Sequence, residues 1–158
     1  MFTRILAPAL AIAMFAGAAA PAPVLAEAGS VSLKGEVKLV RQVVKDGKTT
    51  ETLEEPGQVL PGDRLLFATR YTNSGAEPAT DLVVVNPLPQ PVRLATAEGL
   101  DVSVDGGKTF GLLAALKIAD RTGAARAAEL GDVTHVRWRI ASIAPGSSGE
   151  VRYLGEVR

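Results

Sequence analysis

The amino-acid sequence predicts an all-β fold, an antiparallel β-sandwich of about seven to nine short strands built as one domain. Segments in which apolar and polar residues alternate recur along the chain of 158 residues, as in strands with one buried face. Turn signals rich in Pro, Gly, Asn and Asp separate these segments at intervals of roughly 8–15 residues. Beyond the N-terminus, no segment combines the length and the periodicity of a long helix.

The first 26 residues predict a cleaved signal peptide. Arg4 precedes an apolar run at residues 5–20, and Val24 and Ala26 occupy the positions that a signal peptidase reads before cleavage after Ala26. The apolar run is short for a membrane span, which disfavours an uncleaved anchor. We therefore predict a mature chain of residues 27–158, located in the periplasm or outside the cell, with no membrane span after cleavage.

The composition excludes several classes of function. The chain has 17 Lys and Arg against 17 Asp and Glu, spread along its length, so no basic surface for nucleic acid or anionic lipid is expected. It has no cysteine, and this excludes a lipid-modified cysteine, a thiol nucleophile and a thiolate metal site. An exported domain without disulfides must be held together by core packing and backbone pairing.

Residues 31–44 predict the first strand, because apolar and charged residues alternate there with a period of two. The residues predicted to face the core are Val31, Leu33, Val37, Leu39 and Val43. Asp46 and Gly47 then predict a two-residue hairpin turn, since both can adopt positive φ. The returning strand, at residues 49–53, is short and polar, which indicates a position at the edge of a sheet.

The middle of the chain holds two strongly β-forming segments between turns. Pro61 and Gly62 predict a type II turn ahead of a strand at residues 64–71. Residues 73–78 predict a loop at one end of the sheet. Residues 82–85 are apolar at every position, so we predict a central strand that is covered on both faces and ended by the prolines that follow.

The remaining segments complete the sandwich. In a strand predicted at residues 133–140, Val136, Trp138 and Ile140 share the inward face. The composition of residues 124–130 favours helix, so we predict a loop with a short helix in the ambiguous segment 118–130. Further short strands are predicted at residues 92–95, at 100–104 and from 151 to the end.

The stretch from residue 60 to residue 89 resembles a known family. It contains Pro-Gly-Asp, an alternating strand, Tyr-Thr-Asn-Ser-Gly and Asn-Pro-Leu-Pro. This pattern is similar to the bacterial and archaeal cell-surface repeat called domain of unknown function eleven, in which Asp is usual at the position of Asn86. The resemblance extends over residues 45–110 and, more loosely, 132–157. It implies an immunoglobulin-like sandwich in a cell-envelope protein and implies no activity.

A short motif resembles the Asp-box, with Ser103, Asp105, Gly107 and Thr109 at alternate positions and Phe110 where Trp is usual. In such a hairpin the carboxylate accepts N–H groups of the turn, Gly takes positive φ and the aromatic ring is buried. We interpret the motif as structural, because this turn chemistry explains every residue in it.

Catalytic and metal-binding residues are sparse. His135 is the only histidine, and no Gly-x-Ser-x-Gly elbow accompanies it, so we interpret it as an outward strand residue. Glu98, Asp101 and Asp105 could supply oxygens to Ca²⁺, but their spacing is not that of a calcium loop. We predict a protein that is not an enzyme, with no cofactor and no metal.

The predicted interaction surface consists of outward arginines and of loops. Four arginines fall on the outward face of their strands, where they would form a basic ladder if those strands pair, with solvated ion pairs as the simpler interpretation. The residues predicted for this surface are Arg70, Arg137, Arg139 and Arg152, together with Asn73 and Glu77 in the loop at 73–78 and the prolines at 87, 89 and 91.

These features favour a secreted, non-enzymatic domain of the bacterial cell envelope with a structural or protein-interaction role. Its predicted partner is an envelope protein or a second copy of the chain. One alternative is a carbohydrate- or polyanion-binding module, which the scarcity of aromatic residues and the predicted burial of Trp138 disfavour. A periplasmic chaperone-like module and a hydrolase are further alternatives.

Overall fold

The computed structural model describes residues 30–158, so the predicted signal peptide lies outside the described residues. This part of the chain contains ten β-strands and two short 3₁₀ helices, at Leu113–Ala115 and Leu130–Asp132. The strands are β1 (Val31–Lys45), β2 (Lys48–Glu54), β3 (Arg64–Asn73), β4 (Ala79–Pro87), β5 (Val92–Leu94), β6 (Asp101–Ser103), β7 (Lys117–Ala119), β8 (Ala125–Ala127), β9 (His135–Ile143) and β10 (Ser148–Val157).

Two antiparallel sheets form the sandwich. Sheet A has five strands in the order β2-β1-β3-β10-β5, and sheet B has three in the order β4-β9-β6. The chain crosses from sheet A to sheet B after β3, returns to sheet A for β5, crosses again to β6 and β9 of sheet B, and ends in sheet A with β10. The predicted all-β antiparallel sandwich is confirmed, with β7 and β8 as an additional two-stranded ribbon.

The core lies between the two sheets. Sheet A contributes Leu94 and Tyr153, and sheet B contributes Val102 and Val136, all of them buried in one cluster. Trp138 packs against this cluster, as its strand parity predicts. An aromatic group strengthens it: the ring of Tyr153 stacks on Phe67 with centroids 4.7 Å apart and lies 6.2 Å from Trp138.

Local turn chemistry explains how the strands are connected. Asp46 and Gly47 have φ of 52° and 74°, the values of a type I′ turn, which matches the right-handed twist of the hairpin β1–β2. Gly62 has φ of 92°, and Asp63 donates a 3.0 Å hydrogen bond to the carbonyl of Leu60, as expected for the type II turn. The predicted edge position of β2 is also confirmed.

Two predictions about individual strands are wrong. The segment at 82–85 belongs to β4, which lies at an edge of sheet B, and Val83 and Val85 are 46% and 42% exposed on its outer face. In β1, Leu33 and Val43 are exposed although their parity is that of the buried Leu39. Both errors arise because β1 extends beyond the core and because the described residues give sheet B three strands, with β4 at its edge.

The predicted short helix at residues 124–130 is also wrong. Strands β7 and β8 form a hairpin there, closed by a turn in which the carboxylate of Asp120 accepts N–H groups of Thr122 and Ala124. Gly123 supplies the positive φ of 87° that the turn requires. The hydroxyl of Thr122 also donates to this carboxylate, and these hydrogen bonds, that of the hydroxyl first, lower the pKa of Asp120. Turn chemistry therefore outweighs the helix propensity of the alanines.

Within the described part of the chain, no helix is long and apolar enough to cross a membrane.

Candidate functional site: a groove at the open edge of the sandwich

The sandwich is open along one side. The side chain of Asn86 on β4 donates a 2.7 Å hydrogen bond to the hydroxyl of Thr69 on β3, so β4 lies opposite β3. Strand β1 lies one place further out in sheet A, whereas β4 is already the edge of sheet B. In the part of the chain that the structure describes, sheet B therefore has no strand opposite β1.

The consequence is an uncovered inner face on the first half of β1. Leu33 and Gly35 lie on the same face as the buried Leu39, yet Leu33 is 52% exposed. A methyl group built on Gly35 meets no atom within 4 Å. Nearer the middle of the strand, Leu39 is buried in a cluster against which Val37 and Val59, the latter after β2, also pack.

This uncovered face forms one wall of a groove of ≈ 410 Å³, which we call the edge groove. Its floor is the aromatic stack of Phe67 and Tyr153. The opposite wall comes from the end of β4 and the proline segment after it. The lining residues are Leu33, Gly35, Glu36, Val37, Phe67, Ala68, Thr69, Asn86, Pro87, Pro89 and Tyr153.

The edge groove is apolar, and its polar groups are largely satisfied. Asn86 and Thr69 bond to each other, and the hydroxyl of Tyr153 donates a long bond of 3.5 Å to the carbonyl of Pro87. Burial raises the pKa of Tyr153 to about 12, so the ring stays neutral. Glu36 at the rim accepts a hydrogen bond from Lys38 at 2.7 Å, which lowers the pKa of its carboxyl. The groove therefore suits an apolar, extended segment.

The loop at 73–78 contains one wrong prediction. Asn73 is fully buried, so it does not belong to an interaction surface. Its amide donates to the carbonyls of Glu77 and Ile143 at 2.8 and 3.0 Å, and its Oδ1 accepts the N–H of Gly75 at 2.9 Å. Asn73 thus joins the end of β3, the loop and the end of β9. The side chain of Glu77 is exposed, as expected for a surface residue.

The basic ladder, expected only if the arginine-bearing strands pair, does not form, because the four arginines are divided between the two sheets. Arg70 and Arg152 lie on sheet A, where both contact the carboxylate of Glu150. Arg137 and Arg139 lie on strand β9 of sheet B. The four arginines would share one face only if their strands belonged to the same sheet. Strand parity shows which face of a sheet a residue lies on, but it does not show to which sheet the strand belongs.

Arg137 has a structural environment of its own. Its guanidinium donates two hydrogen bonds of 2.9 and 2.5 Å to Oδ2 of Asp101 on β6. The guanidinium carbon also lies 4.2 Å from the centre of the Phe110 ring, a cation–π contact. Arg137 therefore holds the Asp-box turn against sheet B. Arg139, two residues further along β9, is exposed.

The Asp-box forms the turn that the sequence predicts. The carboxylate of Asp105 accepts the N–H groups of Lys108 and Thr109 at 3.0 Å and the hydroxyl of Ser103 at 2.7 Å. The hydrogen bonds from Thr109 and Ser103 hold the pKa of Asp105 far below its usual range. Gly107 has the expected positive φ, 86°. Phe110 is half-buried under Arg137.

His135 and the acidic residues do not form a reaction centre. The ring of His135 is half-buried, and its Nδ1 lies 3.1 Å from the hydroxyl of Thr134, so it is less exposed than an outward strand residue. Asp101, considered above as a calcium ligand, is bonded to Arg137 instead. Within residues 30–158, no group of three or more His, Cys, Asp or Glu side chains is arranged to hold a metal ion.

Sequence reasoning missed Leu33 and Gly35 as site residues. Alternation correctly assigns Leu33 to the inner face of β1, but it does not show where the opposite sheet ends. Gly35 interrupts the row of large apolar residues on that face, and this was the available signal for an open position. Two of the prolines predicted for interaction, Pro87 and Pro89, do line the edge groove.

Comparisons of this chain with protein-family models, with curated proteins and with solved structures find no significant match. The resemblance to the cell-surface repeat therefore stays a prediction.

Proposed function

We propose that this chain is a secreted, non-enzymatic interaction domain of the bacterial cell envelope, which binds an extended segment of a partner protein in the edge groove. The observation that carries the proposal is the uncovered inner face of β1 beside the free edge of β4. The signal-peptide pattern and the resemblance to a cell-surface repeat support the compartment.

Binding by strand addition fits this geometry. A segment paired with the free edge of β4 would extend sheet B by one strand and lie opposite β1. Its alternate side chains would point into the groove, against Leu33 and the ring of Phe67. Backbone hydrogen bonds along β4 would supply affinity, and the apolar floor would select the side chains.

The other surfaces offer less to a partner. Arg70, Arg137 and Arg152 are engaged by carboxylates of the same chain, so a ligand would have to compete with those contacts. Trp138 packs in the core, which weakens the case for a carbohydrate platform. His135 is bonded to a threonine, and this supports a role other than hydrolysis.

Site-specific photo-crosslinking in an envelope extract tests the proposal. A photoreactive residue at position 33 should yield a protein adduct, whereas the same residue at the exposed Leu112, away from the groove, should not. The variant Gly35→Arg places a long charged side chain in the groove and should abolish the adduct from position 33 while the chain stays folded by circular dichroism. Equal adducts from both positions, or none from position 33, would contradict the proposal.

A further inference from the structure

The hairpin β1–β2 extends beyond the sandwich. From Arg41 to Lys45, β1 pairs with β2 and no longer with β3. Every residue from 41 to 54 is exposed, and β2 is the edge strand of sheet A. We call residues 41–54 the hairpin arm. Within residues 30–158, no strand pairs with its outer edge, and this makes the edge a template for another strand.

The turn determines which residues of β2 face outward along the edge. In a two-residue hairpin, the pair that closes the turn, here Lys45 and Lys48, is a hydrogen-bonded pair. Bonding then alternates along the ladder, so Thr49, Glu51 and Leu53 direct their N–H and C=O groups away from β1. Thr52 and Glu54, like Lys48 and Thr50, bond toward β1.

We propose that two copies of this chain join through β2, antiparallel to each other about a two-fold axis at Glu51. This register opposes Thr49 to Leu53 of the second copy and Glu51 to Glu51 of the second copy. All outward residues of β2 are then hydrogen-bonded pairs, and the two A sheets become one continuous sheet. A shift by two residues in either direction leaves an outward residue of β2 without a partner in the other β2.

Charge complementarity supports this register. It opposes Lys48 to Glu54 of the second copy, and symmetry repeats the pair at the other end of the interface. These are non-hydrogen-bonded pairs, in which side chains approach most closely. The two Glu51 carboxylates meet at the axis, and their repulsion is reduced because each one already forms an ion pair of 2.9 Å with Arg64 of its own chain.

Apolar complementarity is a second, independent support. Val44 and Leu53 are 70% and 54% exposed, and both lie on the outer face of the arm. In the proposed register, Thr49 of one copy lies between its own Val44 and Leu53 of the other. Each row runs from Val44 and Thr49 of one copy to Leu53 and the buried Val40 of the other. By symmetry, two such rows cross the interface.

Charge exchange tests the interface. Sedimentation of the purified protein should show a concentration-dependent dimer. Lys48→Glu and Glu54→Lys should each weaken dimerisation by about tenfold or more, because each turns two attractions into two repulsions. The double variant should restore the dimer to within about threefold, since it re-forms both pairs with the charges reversed. A strict monomer at every concentration, or a double variant no better than the single ones, would overturn the proposal.

Disulfide trapping tests the register. The chain has no cysteine of its own, so any disulfide that forms must join the introduced cysteines. A mixture of Lys48→Cys and Glu54→Cys chains should form a disulfide-linked heterodimer on mild oxidation, because opposed Cα atoms in non-hydrogen-bonded pairs are about 4.5 Å apart, within the range that a disulfide spans. Either variant alone should stay uncrosslinked, since like positions lie at opposite ends of the interface. Crosslinking of either variant alone would contradict the register.

This inference is separate from the edge groove. The variant Gly35→Arg should leave dimerisation unchanged, and Lys48→Glu should leave the adduct from position 33 unchanged. Loss of both properties in either variant would contradict the assignment of two distinct surfaces.

Discussion

Asn86 on β4 donates a hydrogen bond of 2.7 Å to the hydroxyl of Thr69 on β3 and so links the two sheets at the margin of the edge groove. Thr69 is buried, so loss of this partner leaves a polar atom in an apolar environment.

We expect Asn86→Ala to lower the free energy of unfolding by about 1–3 kcal/mol, since it leaves the Thr69 hydroxyl unpaired. Thr69→Val is the matched change on the other side. Urea denaturation of both single variants and the double variant would give the coupling energy. The two losses should be clearly non-additive, and simple additivity would show that the bond contributes little.

Asn73→Ala should destabilise the protein by about 2 kcal/mol or more. The change leaves the carbonyl of Ile143 and the N–H of Gly75 without the amide that now satisfies them. Glu77→Ala is the control, because its exposed side chain should be worth less than about 0.5 kcal/mol. If Asn73→Ala is as mild as the control, the loop does not depend on this side chain.

Two glycines in sheet A should respond oppositely to alanine. At Gly155, an added methyl group would overlap Val92 and approach the Phe67 ring to 3.1 Å, so Gly155→Ala should cost about 1–3 kcal/mol. Gly35 faces the open groove, so Gly35→Ala should be neutral or slightly stabilising. Chemical denaturation measures both. A large loss at position 35 would mean that the groove is filled.

Asp105→Asn should lower the melting temperature at neutral pH. This gap in melting temperature between the variant and the unmodified protein should become smaller in acid. Hydrogen bonds to the ionised carboxylate depress its folded-state pKa, so its stabilisation is present above its ordinary pKa of about 3.9 and is lost as the pH falls below that value. Thermal melts of both proteins between about pH 7 and 2 would follow this gap. A gap independent of pH would exclude the charge as the cause.

Tyr153→Phe should remove a loss of stability at high pH. Burial raises the folded-state pKa of Tyr153 to about 12, so the native protein loses stability as the pH rises above about 10, where the unfolded chain ionises first. The difference between the two proteins should grow by about 1–2 kcal/mol between about pH 10 and 12. Urea midpoints measured over that interval test this, and parallel curves would contradict it.

Much of the fold could be predicted because its signals are local. Asp46-Gly47 and Pro61-Gly62 specify their turns through the φ values that these residues adopt, and both turns form as predicted. The polar composition of β2 indicates an edge strand, because a buried strand could not contain it. The alternation in β9 places Val136 in the core.

The errors concern contacts between segments that are distant in the sequence. An apolar run such as residues 82–85 fits a central strand equally well, and the number of strands in sheet B made it an edge strand instead. In place of the helix expected at 124–130, the chain forms a hairpin whose turn is closed by Asp120 and Gly123. Asn73 is a residue type typical of loops, yet it is buried and bonds to distant partners, Ile143 on β9 and Ser147 just before β10.

Residues a few positions apart specify most of the strands, the turns and the edge character of β2, and the composition alone excludes cysteine chemistry. Which strands face one another depends instead on contacts between distant segments, and these became visible in the folded chain. That arrangement left Leu33 and Gly35 uncovered on the inner face of β1 and placed the four arginines on two sheets. The physical reason is that strand parity selects a face of a sheet, whereas coverage of that face depends on the width of the opposite sheet.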